Sequence, residues 1–191
     1  MTVEEKEIRI NGEYIIRVPY GESYRISVPA GDELYLLRTR KQLDEKDKTV
    51  ISEDMGSYIA GYAKSFAECA TYSEDIKSAK TTNRMLLDEG SVPRFCMGTV
   101  ETAGPDKVDF HDHPMLDQLF LGLKGCRCKC VADRAEEGLT ENTLLHVPLG
   151  SNHAVQAAEG DRMYYAWLDF FLTLEDQEYM SRQHKTDRQE K

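Results

Sequence analysis

The sequence predicts a mainly β protein whose strands form a sandwich or a barrel, and two observations support this fold class. Between residues 95 and 172, seven short runs rich in β-branched and aromatic residues alternate with clusters of Gly, Pro, Asp and Asn. Short strands at such regular spacing are typical of sandwiches and barrels. Before residue 40, apolar and polar side chains alternate with a period of two, as in half-buried antiparallel strands.

The N-terminal region, residues 1–92, is predicted to be a β-rich extension that contains one helix. Residues 39–50 are almost wholly polar and are expected to form a solvated loop. A helix is predicted over about residues 53–70, because apolar side chains recur there at steps of three and four. These apolar positions are Met55, Tyr58, Ile59, Tyr62, Phe66 and Cys69.

Residues 93–172 contain the seven predicted strands and are expected to form the barrel itself. The strands are FCMGTVE, VDFHDH, DQLFLGL, CRCKCVA, NTLLHVP, HAVQAA and MYYAWLDFF. Residues 173–191 form a polar C-terminal tail, which begins as a short helix capped by Thr173 and has no apolar residue after Met180.

Composition excludes some classes of partner. The 191 residues include 24 Lys and Arg against 34 Asp and Glu, so the formal charge is −10. Because such a surface repels polyanions, we expect neither nucleic acid nor an anionic membrane as a partner. The sequence has no signal-peptide pattern and no apolar run of about 20 residues, so a cytoplasmic protein with reduced cysteines is expected.

Three of the five histidines form a pattern that suits a metal site. His111 and His113 are two residues apart on a predicted strand, so both side chains point to the same face, with Cα atoms about 6.6 Å apart. His153 follows about two strands later, in the turn PLGSNH. Imidazole nitrogens bind several divalent transition metals, so the three rings are candidate ligands of one ion.

These two motifs resemble those of the cupin superfamily. HDHPMLDQ (residues 111–118) is similar to the H-x-H-P-x-x-x-E pattern of germin-like cupins, and PLGSNH matches their P-x-G-x-x-H turn. The resemblance implies a cupin-type jelly-roll β-barrel over residues 93–172 that holds one divalent ion, either Fe, Mn, Ni or Zn. It implies His111, His113, Gln118 and His153 as metal ligands, and a homodimer.

Gln118 departs from the family pattern, because a neutral amide stands where the family has a glutamate. The site then carries one negative charge fewer, which favours an anionic oxygen of a substrate as an additional ligand. Asp117 is the alternative fourth ligand. On a regular strand Asp117 and Gln118 face opposite sides, so only one of them points inward.

His146 and Tyr165 are the candidate catalytic residues. His146 lies two residues before Pro148, so it either lines the cavity as an acid or base or lies at the barrel surface. Tyr165 and Trp167 share one face of the last strand and either form a wall of the metal site or pack in the core or a dimer interface. Cys126, Cys128 and Cys130 are read as small buried side chains rather than as a metal cluster.

The resemblance implies two kinds of function. The first is a metal-dependent enzyme acting on a small polar, anionic molecule, of dioxygenase, isomerase, lyase or decarboxylase type. The alternative is a non-catalytic cupin that binds or senses a small ligand in the same pocket.

Overall fold

A computed structural model describes residues 2–3, 6–19, 21–59 and 61–189 of the chain. The chain divides into two compact units, Met1–Glu68 and Cys69–Lys191. The boundary lies earlier than residue 92, where the sequence placed it, because residues 82–92 form a long strand of the second unit. That strand is hydrogen-bonded to the first predicted barrel strand.

The first unit contains short strands and two short helices. Its elements are β1 (Thr2–Val3), β2 (Lys6–Glu7), β3 (Tyr14–Arg17), β4 (Tyr24–Arg25), α1 (Glu45–Glu53), α2 (Met55–Ile59), β5 (Tyr62–Ser65) and a 3-10 turn (Phe66–Glu68). Strand β1 pairs with β2 and β4, and β3 pairs with β5, all antiparallel.

The predicted helix over residues 53–70 is wrong in extent, and the predicted loop over 39–50 is wrong from residue 45 onward. Helix α1 begins earlier because Asp44 and Asp47 form a capping box, in which each carboxylate accepts a hydrogen bond from the other residue's backbone N–H. The fully buried Asp47 also pairs with Lys41 at 2.9 Å. Beyond α2 the helical period is overridden, because Tyr62 lies in β5, directly opposite Arg17 of β3.

The second unit consists of ten strands and one helix among the described residues. They are β6 (Thr71–Tyr72), β7 (Thr82–Val92), β8 (Phe95–Ala103), β9 (Asp106–His111), β10 (Leu116–Gly122), β11 (Arg127–Ala132), β12 (Ala135–Thr140), β13 (Leu144–Val147), β14 (His153–Ala157), β15 (Arg162–Phe171) and α3 (Leu174–Gln189). Each of the seven predicted strands corresponds to one of these. Strand β12 was missed because its sequence, AEEGLT, has a single buried apolar residue, Leu139.

The strand order confirms the predicted mainly β jelly roll. The strands pair antiparallel in the order β6-β7-β8-β15-β11-β14-β9, while β10 pairs with β13 and β15, and β12 pairs with β11. Strands distant in sequence are therefore neighbours in the sheet, with β15 lying between β8 and β11. No helix in the described ranges has the length and apolarity needed to cross a lipid bilayer.

The interior of this jelly roll is formed by alternate residues of its strands. Along β10, Leu116, Gln118 and Phe120 are buried, while the intervening residues are partly exposed. Met163, Tyr165, Trp167 and Phe171 of β15 belong to the same apolar core. The face of β15 that carries Tyr165 and Trp167 is therefore the inward one.

Helix α3 begins where the sequence predicted it. Thr173 and Asp176 form the cap, since the Thr173 hydroxyl accepts from the Asp176 N–H and the Asp176 carboxylate accepts from the Thr173 N–H. The Gln177 side chain accepts a hydrogen bond from the backbone N–H of Arg94, and Met180 packs against the core. The first turns of the polar tail are thus attached to the barrel.

Gly98 provides a test of how tightly β8 packs on β15. It lies directly opposite Trp167, and a Cβ atom at this position would lie 2.3 Å from the indole and 2.6 Å from the Arg84 carbonyl oxygen. Gly98→Ala is therefore expected to lower the free energy of unfolding by about 1–3 kcal/mol. The control Gly138→Ala, whose Cβ would meet nothing within 4 Å, should change it by less than about 0.5 kcal/mol. Equal urea midpoints for the two variants would contradict this packing.

Candidate metal centre

His111, His113 and His153 converge at the paired ends of β9 and β14. His153 begins β14 and lies directly opposite His111, the last residue of β9, while His113 follows two residues later. The ring centroids lie 4.2 Å apart for His111 and His153, and 4.9 Å apart for His111 and His113. One ligand nitrogen from each ring lies within 4.8 Å of the other two. The three predicted ligands can therefore hold one ion.

A β-bulge in β9 turns the histidines inward. His153 pairs with His111, but Val155, two residues later, pairs with Val108, three residues before His111. This extra residue in β9 places His111 on the same face as the buried Val108, although a regular strand would put them on opposite faces. The spacing H-x-H predicts that the two rings share a face, and the bulge decides that this face is the interior.

In His111 and His153, backbone hydrogen bonds fix which ring nitrogen can bind a metal. His111 Nδ1 lies 2.8 Å from the Asp109 carbonyl oxygen, and His153 Nδ1 lies 3.0 Å from that of Ser151. A carbonyl oxygen only accepts, so both Nδ1 atoms carry the proton and the lone pair is on Nε2. His153 Nε2 is buried and has no hydrogen-bond partner in the described part of the chain. A metal ion would satisfy this unpaired buried acceptor, so the residues fit a divalent metal.

Burial also favours the neutral form that a metal requires in the rings of His111 and His153. Desolvation lowers the pKa of His153 to about 4, well below its ordinary value of 6.5. Desolvation is also the main reason that the pKa of His111 is lowered. Both rings are therefore unprotonated at neutral pH, and no proton has to leave before the metal binds.

Gln118 lies on the inner face of β10, with 6% of its surface exposed. Its Nε2 donates to the Asp169 carboxylate, 2.9 Å away on the directly opposite residue of β15. This bond leaves the Gln118 oxygen as the atom available to a metal. Asp169 was not identified as a site residue from the sequence. The alternation along β15 could have identified Asp169, because it places this charged residue on the same inward face as Tyr165 and Trp167.

The alternative ligand Asp117 lies on the opposite face of β10. Its carboxylate is 2.9 Å from His146 Nε2, and both side chains are about half exposed, 49% and 55% respectively. Of the His, Cys, Asp and Glu side chains in the described ranges, the three histidines are the group that converges on one point. Asp117 and His146 therefore form a pair on the outer face of β10: Asp117 points away from the side that carries Gln118, and of the two positions left open for His146 the structure shows the barrel surface.

Tyr165 lies inside the barrel, 3% exposed, and is linked to the histidines through one aromatic ring. Its ring centroid is 4.9 Å from that of Phe120, which is in turn 5.8 Å from the ring of His153. Burial raises the pKa of Tyr165 well above its ordinary value, so the phenol stays protonated at neutral pH. Tyr165 packs in the core and lies one ring away from the histidines.

Cys128 and Cys130 of β11, and Cys126 directly before it, are buried, as predicted, and belong to the apolar core. The Sγ atoms of Cys126 and Cys128 are 3.7 Å apart, much closer than the Cα spacing suggested. No third metal-ligating side chain in the described residues joins them. The pair therefore lacks the donor set of a structural zinc site.

Comparisons with known proteins concern the fold. No protein-family model matches the chain, and no curated protein matches it. A cupin-2 domain protein of Rhodospirillum rubrum shares 16% identity, with a TM-score of 0.46 over 54% of this chain and 68% of that one. The Cnp3 cupin domain of Schizosaccharomyces pombe shares 14%, with a TM-score of 0.49 over 63% and 85%. A predicted oxalate decarboxylase of Thermotoga maritima shares 10%, with a TM-score of 0.48 over 56% and 96%.

The lowered pKa of His153 makes the stability of the metal-free protein depend on pH. Because the unfolded chain binds this proton near pH 6.5 and the folded chain near pH 4, folding stability should fall as pH decreases between these values. We expect a loss of about 2–3 kcal/mol from this residue. Urea unfolding in EDTA at pH 4.5, 5.5 and 6.5 measures it. His153→Asn, which has no titrating ring, should show a shallower decline, and equal slopes would contradict the burial of a neutral His153.

Proposed function

We propose that the chain is a cupin-type, metal-dependent enzyme acting on a small anionic molecule; its jelly-roll barrel and the positions of its three histidines support this proposal. The observation that carries the proposal is the buried, unpaired Nε2 of His153, which lies beside the ligand nitrogens of His111 and His113. A buried acceptor without a partner is costly, and an ion would remove that cost.

The proposed ligands are the three imidazoles and the Gln118 oxygen, around one Fe, Mn, Ni or Zn ion. All four donors are neutral, so the bound ion keeps its two positive charges. An ion of this kind supplies Lewis-acid chemistry to a bound oxygen. The Asp169 carboxylate accepts a hydrogen bond from the Gln118 amide nitrogen and so lies behind the proposed fourth donor. The site therefore favours a ligand that brings an anionic oxygen of its own.

Tyr165 is the remaining candidate for proton transfer. Its protonated phenol lies inside the barrel, whereas His146 lies on the outer face with Asp117. A protonated phenol serves as a general acid rather than as a base. The homodimer and the cytoplasmic location stay predictions from the sequence.

The metal content of histidine variants tests the site directly. Protein purified without chelator should hold about one metal ion per chain, because three converging imidazoles bind divalent transition metals tightly. His113→Ala should lose most of this metal after dialysis, as measured by elemental analysis. The matched control is His146→Ala, which removes a histidine from the outer face and should keep the metal content of the wild type.

Metal content that is equal in His113→Ala and the wild type would place the ligands elsewhere. A metal-loaded chain can then be assayed for turnover of small carboxylic acids and sugars, alongside thermal-shift measurements with the same compounds. A compound that raises the melting temperature and is converted supports an enzyme. A compound that raises it and is recovered unchanged supports the alternative, a ligand-binding cupin.

A further inference from the structure

Lys77 is a lysine whose side chain is almost wholly buried, with 7% of it exposed. It forms an ion pair with Glu74, whose side chain is 18% exposed, and its ammonium lies 5.8 Å from the centroid of the Tyr72 ring. Lysine is rarely buried unless it is paired, because desolvating an ammonium is costly. Lys77 thus places a buried positive charge in this unit, in a segment for which the sequence predicted no function.

The backbone directs this cation toward the barrel interior. Lys77 forms an antiparallel bridge with Val108 of β9, and the Asp109 N–H donates to the Ile76 carbonyl oxygen at 2.9 Å. Residues directly opposite each other in an antiparallel pair place their side chains on the same face. Val108 is 2% exposed and faces the core, and the bulge gives His111 the same orientation. Lys77 therefore points inward on the side of β9 that carries the histidine ligand.

The charges that act on His111 and Tyr165 agree with an inward position of the Lys77 side chain. Burial is the main cause of the lowered pKa of His111, but the charge of Lys77 lowers it further, and the charge of Glu74 opposes this. Burial is the main cause of the raised pKa of Tyr165, followed by Cys128 and Cys130, and the charge of Glu74 raises it further. Tyr72 packs against the core. The ion pair thus acts on groups at the histidine cluster and on the inner face of β15.

We propose that Lys77 is the anion-binding residue of this site and that the ligand is a small dianion, such as a dicarboxylate. This inference rests on the proposed function: one carboxylate binds at the metal and the other accepts hydrogen bonds from the Lys77 ammonium. Glu74 is a positioning residue that holds the ammonium in place. An ammonium has three donors and the bond to Glu74 uses one, so Lys77 can bind a ligand oxygen without losing its partner.

The two positive groups explain why a dianion is preferred over a monoanion. The proposed metal site has neutral donors only, so it accepts one negative charge from the ligand. The positive charge of Lys77 is offset in part by the Glu74 carboxylate. The hydrogen bond that the Lys77 ammonium donates to a ligand carboxylate is nevertheless charge-assisted, and it forms where the lysine side chain is largely buried. A ligand with one carboxylate satisfies one of these two groups, whereas a ligand with two satisfies both.

The test compares malonate with propionate on the zinc-loaded protein, by titration calorimetry at constant ionic strength. The wild type should bind malonate about tenfold or more tightly than propionate, which corresponds to one charge-assisted hydrogen bond. Lys77→Met should reduce the difference to about threefold or less. The control Lys80→Met removes an exposed lysine that bonds to the Pro105 carbonyl oxygen, and it should keep the preference of the wild type.

Lys77→Met leaves the Glu74 carboxylate without its cation, which destabilises the fold. The double variant Glu74→Gln/Lys77→Met avoids this, because no carboxylate is left without its partner. It removes both charges and should also lose the preference for malonate. A preference that persists in either variant, or that is absent from the zinc-loaded wild type, overturns the role of Lys77. Zinc content is measured in every sample. A wild type that holds no zinc overturns the proposed function and this inference with it, whereas equal affinities at full zinc loading overturn the inference alone.

Discussion

The antiparallel pairing of β9 with β14 is the interaction on which the candidate metal centre depends. It places His111 opposite His153, and the bulge before His111 turns that ring to the side of the core. Without the extra residue, the alternation of the strand would direct His111 outward while Val108 stayed inside. The same strand also receives Lys77 through the bridge to Val108. One irregularity of one strand therefore brings the candidate ligand His111 to the face that carries the proposed anion-binding residue Lys77.

Charge is the second constraint on the site. The neutral Gln118 amide donates to the Asp169 carboxylate, so that carboxylate lies one hydrogen bond behind the proposed fourth donor. The charge of the nearby Lys77 ammonium is offset in part by Glu74. This arrangement leaves the proposed ion with its full charge at a site where one ligand ring is buried and two are partly exposed, so its interactions are less screened than in bulk water. An anionic ligand completes such a site better than a neutral one.

The sequence predicted the structure correctly where a local pattern, such as the alternation along a strand, also decides which side chains face the core. Alternation along β10 showed that one of Asp117 and Gln118 faces inward, and the structure places Gln118 inside. The bulge has no local signature, and the bridge between Lys77 and Val108 joins residues too far apart for periodicity to reveal. The prediction of a helix over residues 53–70 failed for a related reason, because the pairing of Tyr62–Ser65 with β3 is a tertiary contact that overrides the local three- to four-residue repeat.

X-ray absorption spectroscopy at the metal edge of the zinc-loaded protein tests the central claim most directly. The account predicts a shell of nitrogen and oxygen ligands at about 2.0–2.1 Å, with the outer-shell scattering of about three imidazole rings. Sulfur ligands at about 2.3 Å would contradict it, because the ion would then be bound by cysteine. The closely spaced thiols of Cys126 and Cys128 would be the first place to look.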